Sequence, residues 1–178
     1  MSMDFSKIKK DIVIWASGYS GINEQGRHIW LNQNAPQPAA PYVTLNIISG
    51  PTKVGINDSQ IFNNDTMLYE ITGVRLFSLD VNVYGRDSLQ IATDLSLSIE
   101  NPDVQAFFRQ ANITPYGSTP SVRDISQLLD TIIESRHMFE LVFMAAYLMT
   151  TSTTYIETVE AQGIDDLATE KFIISAGG

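Results

Sequence analysis

The sequence contains no cysteine and only two histidines, His28 and His137. Without cysteine the chain has no disulfide framework, no thiolate nucleophile and no zinc site built from thiolates. Two histidines are too few for a histidine-rich metal site. We therefore expect no bound metal and no cysteine-based chemistry.

Long apolar runs and phosphate-binding glycine motifs are also missing. No apolar run approaches the roughly 20 residues that cross a bilayer. Residues Met1–Asp4 lack the apolar core of a signal peptide, so we expect a soluble protein made in the cytoplasm without a membrane span. The absence of glycine patterns that cradle phosphates gives no reason to expect a nucleotide or another cofactor.

Basic residues are scarce relative to acidic ones. The 178 residues include 20 acidic and 11 basic side chains, a net charge of -9. Such a surface repels phosphate backbones and disfavours sequence-specific binding of nucleic acid. The acidity serves either solubility or the passage of a polyanion that must not stick, and composition does not separate the two. No linker-like composition divides the chain, which predicts a single domain over residues 1–178.

The clearest pattern is the alternation in residues 74–85. Phe77, Leu79, Val81 and Val83 fall on one side at a period of two, which predicts a half-buried β-strand. The run ends at Gly85. Asp87 or Ser88 can then cap a helix that extends through residue 101. The residues expected on the apolar face of this helix are Leu89, Ala92, Leu95, Leu97 and Ile99.

Further elements follow from the same periodicities. Helices are predicted over residues 5–17 and 103–111, and strands over 42–49, 113–116, 138–150 and 155–161. Both faces of the strand over 138–150 are apolar, which indicates a strand that is central in its sheet or covered on both sides. Residues 125–133 fit a helical turn or an irregular edge, and residues 163–178 a loosely held tail. Together these elements predict an α+β fold, with a mixed or antiparallel β-sheet flanked by helices.

A long β-hairpin, residues 52–72 with its turn at residues 63–66, is predicted to project beyond the core that the helices cover. Long exposed strands favour pairing with another subunit, although a merely mobile hairpin fits the sequence equally well. The candidate interface residues are apolar positions of the hairpin and of the tail, namely Ile56, Ile61, Phe62, Leu68, Tyr69, Phe172 and Ile173.

Side chains able to carry catalysis are not arranged in any known pattern. Glu134 and His137 lie three residues apart, but no second such pair accompanies them, so an ion pair of Arg136 with Glu134 or an aspartate is the better interpretation. His28 has no candidate partner nearby in the sequence. We predict no catalytic residue and no enzymatic activity.

The chain resembles the neck or tail terminator proteins of tailed bacteriophages, especially those with contractile tails. The resemblance covers most of residues 40–162 as an order of strand, glycine stop and helix. The segments that carry it are Pro41–Thr44, Gly73–Gly85, the helix with Ala92 and Leu95, Val122–Ser126, Glu134–Arg136, the apolar strand over 138–148 and Tyr155–Glu160.

The resemblance implies a structural protein of the virion. It implies a homohexameric ring at the head-proximal end of the tail tube, which ends polymerisation of tube and sheath and joins the tail to the head-completion proteins of the neck. DNA would pass through the lumen without sequence-specific binding. The alternatives are another head–tail connector or stopper, and more remotely a small acidic hydrolase or ligand-binding domain.

Overall fold

A computed structural model describes residues 3–31, 36–129, 132–152, 158–165 and 168–175 of the chain. Its helices are α1 (Phe5–Tyr19), α2 (Ser88–Ser98) and α3 (Pro102–Gln110). Its strands are β1 (His28–Trp30), β2 (Tyr42–Lys53), β3 (Ser59–Asn63), β4 (Leu68–Tyr84), β5 (Ile113–Tyr116), β6 (Arg123–Asp124), β7 (Gln127–Leu129), β8 (Ile132–Glu134), β9 (Arg136–Ser152), β10 (Thr158–Asp165) and β11 (Ala168–Ser175).

Seven of these strands form one sheet. Its order is β1-β2-β4-β9-β5, with β3 added to β4 and β6 added to β9. Only β1 and β2 run parallel, and the other pairs of this sheet are antiparallel. The hairpins β7–β8 and β10–β11 form two separate two-stranded sheets. The predicted α+β fold with a mixed sheet is therefore confirmed.

Strands β4 and β9 form the axis of the sheet. They are 17 residues long each and pair without a register break from Tyr84 opposite Arg136 to Leu68 opposite Ser152. At about 3.4 Å per residue this ladder spans roughly 55 Å. The predicted alternation is confirmed, because Phe77, Leu79, Val81 and Val83 are fully buried. The prediction that β9 is central is confirmed as well, since β4 lies on one side of it and β5 and β6 on the other.

The helices cover one face of the sheet at one end of this ladder. The carboxylate of Asp4 caps α1 by accepting from the backbone N–H groups of Ser6 and Lys7. The indole Nε1 of Trp15 donates to Ser98 Oγ at 2.9 Å, which joins α1 to α2 inside the core. Three phenylalanines join the helices to the sheet, since the ring of Phe143 lies 5.4 Å from Phe77 and 5.1 Å from Phe108.

The predicted apolar face of α2 is partly wrong. Ala92, Leu95 and Ile99 are buried, but Leu89 and Leu97 are 55% and 57% exposed. Their places toward the sheet are taken by serines, because Ser88, Ser96 and Ser98 are buried. Small side chains let α2 lie close to β4 and β9, and their hydroxyls form hydrogen bonds within the core.

Three other segments differ from the sequence prediction. The first strand of the hairpin predicted over residues 52–72 is interrupted, since β2 ends at Lys53 and β3 begins at Ser59. Residues 125–133 contain the hairpin β7–β8 rather than a helical turn. The strand expected over 155–161 is observed as β10, and it pairs with β11 from the stretch predicted to be a loose tail. Residues 155–157 lie outside the described part of the chain.

Candidate subunit interface

Half of the β4–β9 ladder extends past the helices. We call this part the arm: β3, residues 68–76 of β4 and residues 146–152 of β9. No residue of β3 is buried, and none of β4 is buried before Phe77. In β9 the last buried residue is Ala145. The arm is therefore held mainly by its strand ladder rather than by a core of its own.

The arm and the loop before it expose large apolar side chains. Ile56 in the loop between β2 and β3 is 92% exposed, and Ile61 in β3 is 61% exposed. Tyr69 and Met149 in the arm, and Met67 in the turn between β3 and β4, are between 37% and 44% exposed. Apolar side chains concentrated on a projecting element are typical of a surface that contacts another protein.

The structure brings only some of the predicted interface residues together. The rings of Phe62 and Tyr69 lie 5.1 Å apart, on the face of the sheet that carries the helices further along. Ile61 and Leu68 lie on the opposite face, because they alternate with Phe62 and Tyr69 along their strands. The candidates in β3 and β4 therefore lie on two opposite faces of the arm. Ile56 lies in the loop between β2 and β3.

The two predicted residues of the tail lie on another element. Phe172 and Ile173 belong to β11, where they pair with Ala161 and Glu160 of β10. This hairpin is a sheet separate from the one that contains the arm. Their role at an interface stays a prediction.

Sequence reasoning missed an ion pair that braces the base of the arm. The two terminal guanidinium nitrogens of Arg75 donate to the carboxylate of Asp58, at 2.9 and 2.7 Å. The guanidinium also stacks over the ring of Tyr147 at 4.4 Å. Gly73 provides the space, since a Cβ there would lie 2.2 Å from Asp58 Oδ1. A charged pair 17 residues apart across a loop leaves no periodic signal in the sequence.

This ion pair predicts a dependence of stability on pH. The hydrogen bonds from Arg75 lower the pKa of Asp58 from its ordinary value of 3.8. A lowered pKa in the folded state gives stability that is present above pH 4 and is lost as the pH falls through the folded-state pKa. Urea unfolding between pH 2 and 7 is therefore expected to show that Asp58→Asn is less stable than the wild type at pH 7, with a difference that shrinks below pH 4. A difference that stays constant with pH would contradict this role of the carboxylate.

The face of the sheet away from the helices carries a polar network at the other end of the ladder. Arg136 donates to Asn82 Oδ1 at 2.7 Å, and its guanidinium lies 4.8 Å from the ring of Tyr84. Asn82 Nδ2 in turn donates to Asp80 at 2.7 Å. The ion pair predicted between Arg136 and a carboxylate is not found among the described residues, where the amide oxygen of Asn82 is the partner of the guanidinium. Tyr84 stacks on Tyr42 at 4.6 Å, and burial raises the pKa of Tyr42.

His137 lies in an arrangement that superficially resembles a catalytic triad. Its Nδ1 is 2.9 Å from Ser88 Oγ, and its Nε2 is 4.0 Å from Asp124 Oδ1, beyond hydrogen-bond distance. Ser88 is only 1% exposed, and its Oγ also contacts Ser135 Oγ at 2.8 Å. A serine nucleophile must reach a substrate carbonyl, which this burial prevents. The contacts instead join α2 to the start of β9.

His28 has a hydrogen-bond partner, which the sequence did not reveal. Its Nε2 lies 2.7 Å from Ser20 Oγ, at the end of α1. Burial lowers the pKa of His28. The pair closes the loop between α1 and β1 and lies away from the arm.

Within the described ranges, no three His, Asp or Glu side chains come together as a potential metal site. Among the helices of those ranges, none has the length and apolarity to cross a bilayer.

A groove opens where the arm leaves the helices. We call it the corner groove, and its volume is about 910 Å³. Its walls are residues 3–8 at the start of α1, residues 111–112 after α3, and the strand segments 72–73 and 145–148. The only carboxylate in these walls, Asp4, is occupied in capping α1. The paired acidic groups expected of a hydrolase site are therefore missing from the groove.

The hairpin β7–β8 forms an apolar projection at the opposite end of the ladder. Leu128 and Ile133 are cross-strand partners and are 68% and 70% exposed. The hairpin lies next to Arg136, the first residue of β9, whose backbone N–H donates to Ser126 Oγ at 3.0 Å. The sequence signal that could have predicted this hairpin is the run Leu-Leu-Asp-Thr-Ile-Ile at residues 128–133, in which two apolar pairs flank two polar residues.

Comparisons with known proteins identify the family. The search of curated proteins gave no match. A family model described as phage neck terminator protein matches residues 11–169, which is most of the chain and includes the seven-stranded sheet with the arm, α2, α3 and the later part of α1. The protein therefore belongs to the phage neck terminator family, as its resemblance to that family suggested, and has a structural role in the bacteriophage neck.

Proposed function

We propose that copies of this chain close into a six-membered ring at the head-proximal end of the tail tube. The ring ends polymerisation of tube and sheath and joins a contractile tail to the head-completion proteins. The family match supports a place in the neck. The observation that carries the ring is the arm, a part of the central ladder that extends beyond the core and exposes Ile61 and Tyr69.

A ring needs contacts between two different surfaces of the same chain, because identical patches facing each other produce closed dimers. The arm supplies one of these surfaces. Strand β3 pairs with β4 on one side, and no other described strand pairs with its outer edge. Its backbone can therefore add to a strand of a neighbouring subunit, while Ile61 enters an apolar contact.

The charge of the chain agrees with a conduit for DNA. A net charge of -9 gives a ring of six copies a strongly acidic surface. Like charge lowers the adhesion of phosphate backbones, so DNA can slide through the lumen without specific binding. Such a ring requires no catalysis, and we propose that the protein is not an enzyme.

Replacing Ile61 with aspartate is expected to prevent ring formation. Burying a charge at the centre of an apolar contact costs at least about 2 kcal/mol, which weakens association roughly 30-fold. Native mass spectrometry of the purified chain, alone and with tail tubes, should show the mass of a hexamer for the wild type and mainly monomer for Ile61→Asp. Electron microscopy should show that wild-type protein stops tube elongation.

Leu89→Asp is the matched control, since Leu89 is similarly exposed on α2 at 55%. It should leave the hexamer intact. A wild-type chain that stays monomeric in the presence of tubes would contradict the proposal, and equal loss of assembly in both variants would contradict the role of the arm.

A further inference from the structure

The corner groove and the β7–β8 hairpin lie at opposite ends of one subunit. Along β9, the hairpin lies beside Arg136 and the groove beside Tyr147. Eleven residues of extended strand separate these two positions by roughly 36 Å. The hairpin of one copy therefore cannot fill the groove of the same copy without dismantling the sheet.

The groove offers an apolar floor and a basic rim. Met3, Phe5, Ile8 and Ala145 are among its lining residues. The side chain of Lys7 also lines it, and Lys7 Nζ donates to the backbone carbonyl of Gln110 at 3.4 Å.

Further positive charge lies beside this rim. Lys10 is exposed one turn further along α1. Arg109 lines a smaller pocket that shares Asn112 and Ala145 with the groove. A chain with a net charge of -9 thus places Lys7, Lys10 and Arg109 close to one apolar depression, in whose walls the carboxylate of Asp4 caps α1.

The hairpin has the complementary character. Leu128 and Ile133 are more exposed than any other large apolar side chain described except Ile56. Residues 124–134 contain three acidic residues and no basic one. A hydrogen bond from the Ser126 hydroxyl lowers the pKa of Asp124, which lies in β6 just before the hairpin.

We propose that the β7–β8 hairpin of one subunit inserts into the corner groove of the next subunit. This inference rests on the proposed ring and names the pair of surfaces that closes it. Leu128 and Ile133 fill the apolar floor of the groove, while Asp124, just before the hairpin, and Glu134, at its end, meet Lys7, Lys10 and Arg109 on the rim. Opposite charges at the rim orient the two surfaces, while the apolar insertion supplies most of the binding energy.

The contact is heterologous, because the two surfaces differ and lie on different parts of the subunit. Repeated around an axis, it gives a closed ring. It also gives α1 and the start of β9 a role in assembly next to that of the arm. Two separate contacts per subunit boundary bury more area than either alone, which a stable interface requires.

The absence of cysteine makes this arrangement directly testable. The double variant Ser6→Cys with Leu128→Cys places one thiol in the groove and one on the hairpin, both at positions on the surface. Treatment with a short bifunctional maleimide should link neighbouring copies, and a denaturing gel should show a ladder of bands that ends at the mass of the ring. Because the maleimide joins the two thiols through a spacer, the cross-link does not require the geometry of a disulfide.

Two further double variants make the result specific. Ser17→Cys with Leu128→Cys uses the same substitution at an exposed position further along α1, and it should give no ladder. Ser6→Cys with Phe172→Cys tests the β10–β11 hairpin as the occupant of the groove. A ladder in this variant and none with Leu128→Cys would overturn the inference.

The failures of the ring and of this contact are distinguishable. A hexamer by native mass spectrometry without a ladder between positions 6 and 128 overturns the hairpin insertion and leaves the ring intact. A chain that stays monomeric, alone and on tail tubes, overturns both. A hexamer whose ladder is confined to the pair of positions 6 and 128 supports both.

Discussion

Replacing Phe143 with alanine is expected to lower the free energy of unfolding by about 3–5 kcal/mol. The ring of Phe143 is fully buried and contacts Phe77 within the sheet and Phe108 from α3. Its loss leaves a cavity at the junction of both layers, where neither can collapse without losing other contacts. Urea unfolding followed by tryptophan fluorescence measures the change, because Trp15 packs on Phe108 at 5.8 Å.

Phe62→Ala is the control for this variant. The same side chain is removed, but Phe62 lies on the arm and is only partly buried against Tyr69. We expect a much smaller loss of stability, because the arm has no core of its own. A loss as large as that of Phe143→Ala would show that arm and core unfold as one unit, contrary to our description of the arm as an extension for assembly.

The fold was predictable where periodicity is local and strong. The alternation from Phe77 to Val83 and the apolar strand β9 identified the two central strands, since one face of each is buried in the usual way. Between Gly50 and Ser59 the pattern misled, because the polar loop around Asn57 and Asp58 resembles a continuation of the strand. There the ion pair between Asp58 and Arg75 ties the loop to β4.

The error in α2 has a different physical origin. Reading leucine as buried and serine as exposed placed Leu89 and Leu97 toward the sheet. The helix instead packs through Ser88 and Ser96, whose hydroxyls have partners distant in sequence: His137 for Ser88 and the carbonyl of Pro120 for Ser96. A buried hydroxyl is tolerated when a partner is fixed in place, and no local pattern reports such a partner.

The candidate site was predictable only as a projecting hairpin. Exposed apolar residues at positions 56, 61 and 69 follow from the sequence once the hairpin is assumed to leave the core. The corner groove is built from α1, the end of α3 and the two central strands, whose lining residues are spread over positions 3–148 of the sequence. Its basic rim and the acidic β7–β8 hairpin become complementary surfaces only after the fold places them at opposite ends of the ladder.

Replacing Gly85 with alanine is expected to lower the free energy of unfolding by about 2–5 kcal/mol. Gly85 ends β4 with a φ of +96°, and its N–H donates to the carbonyl of Ser135 at 2.8 Å. A residue with a Cβ costs about 1–2 kcal/mol in this left-handed region. The Cβ would also lie 2.6 Å from Ala40 Cβ and 3.3 Å from Pro41 Cα, and displacing that backbone adds about 1–3 kcal/mol.

Gly117→Ala separates these two costs. Gly117 has nearly the same φ, +98°, and a Cβ there would meet nothing within 4 Å. Urea unfolding should therefore show the backbone cost in both variants and the steric cost in Gly85→Ala alone. Alanine lowers the entropy of the unfolded chain in both variants, so this effect cancels when the two are compared. Equal losses would mean that the segment before β2 yields freely. A larger loss at Gly85 would instead show that the segment with Ala40 and Pro41 is held firmly against the end of β4. This packing keeps Ser135 and the neighbouring β7–β8 hairpin in position for assembly.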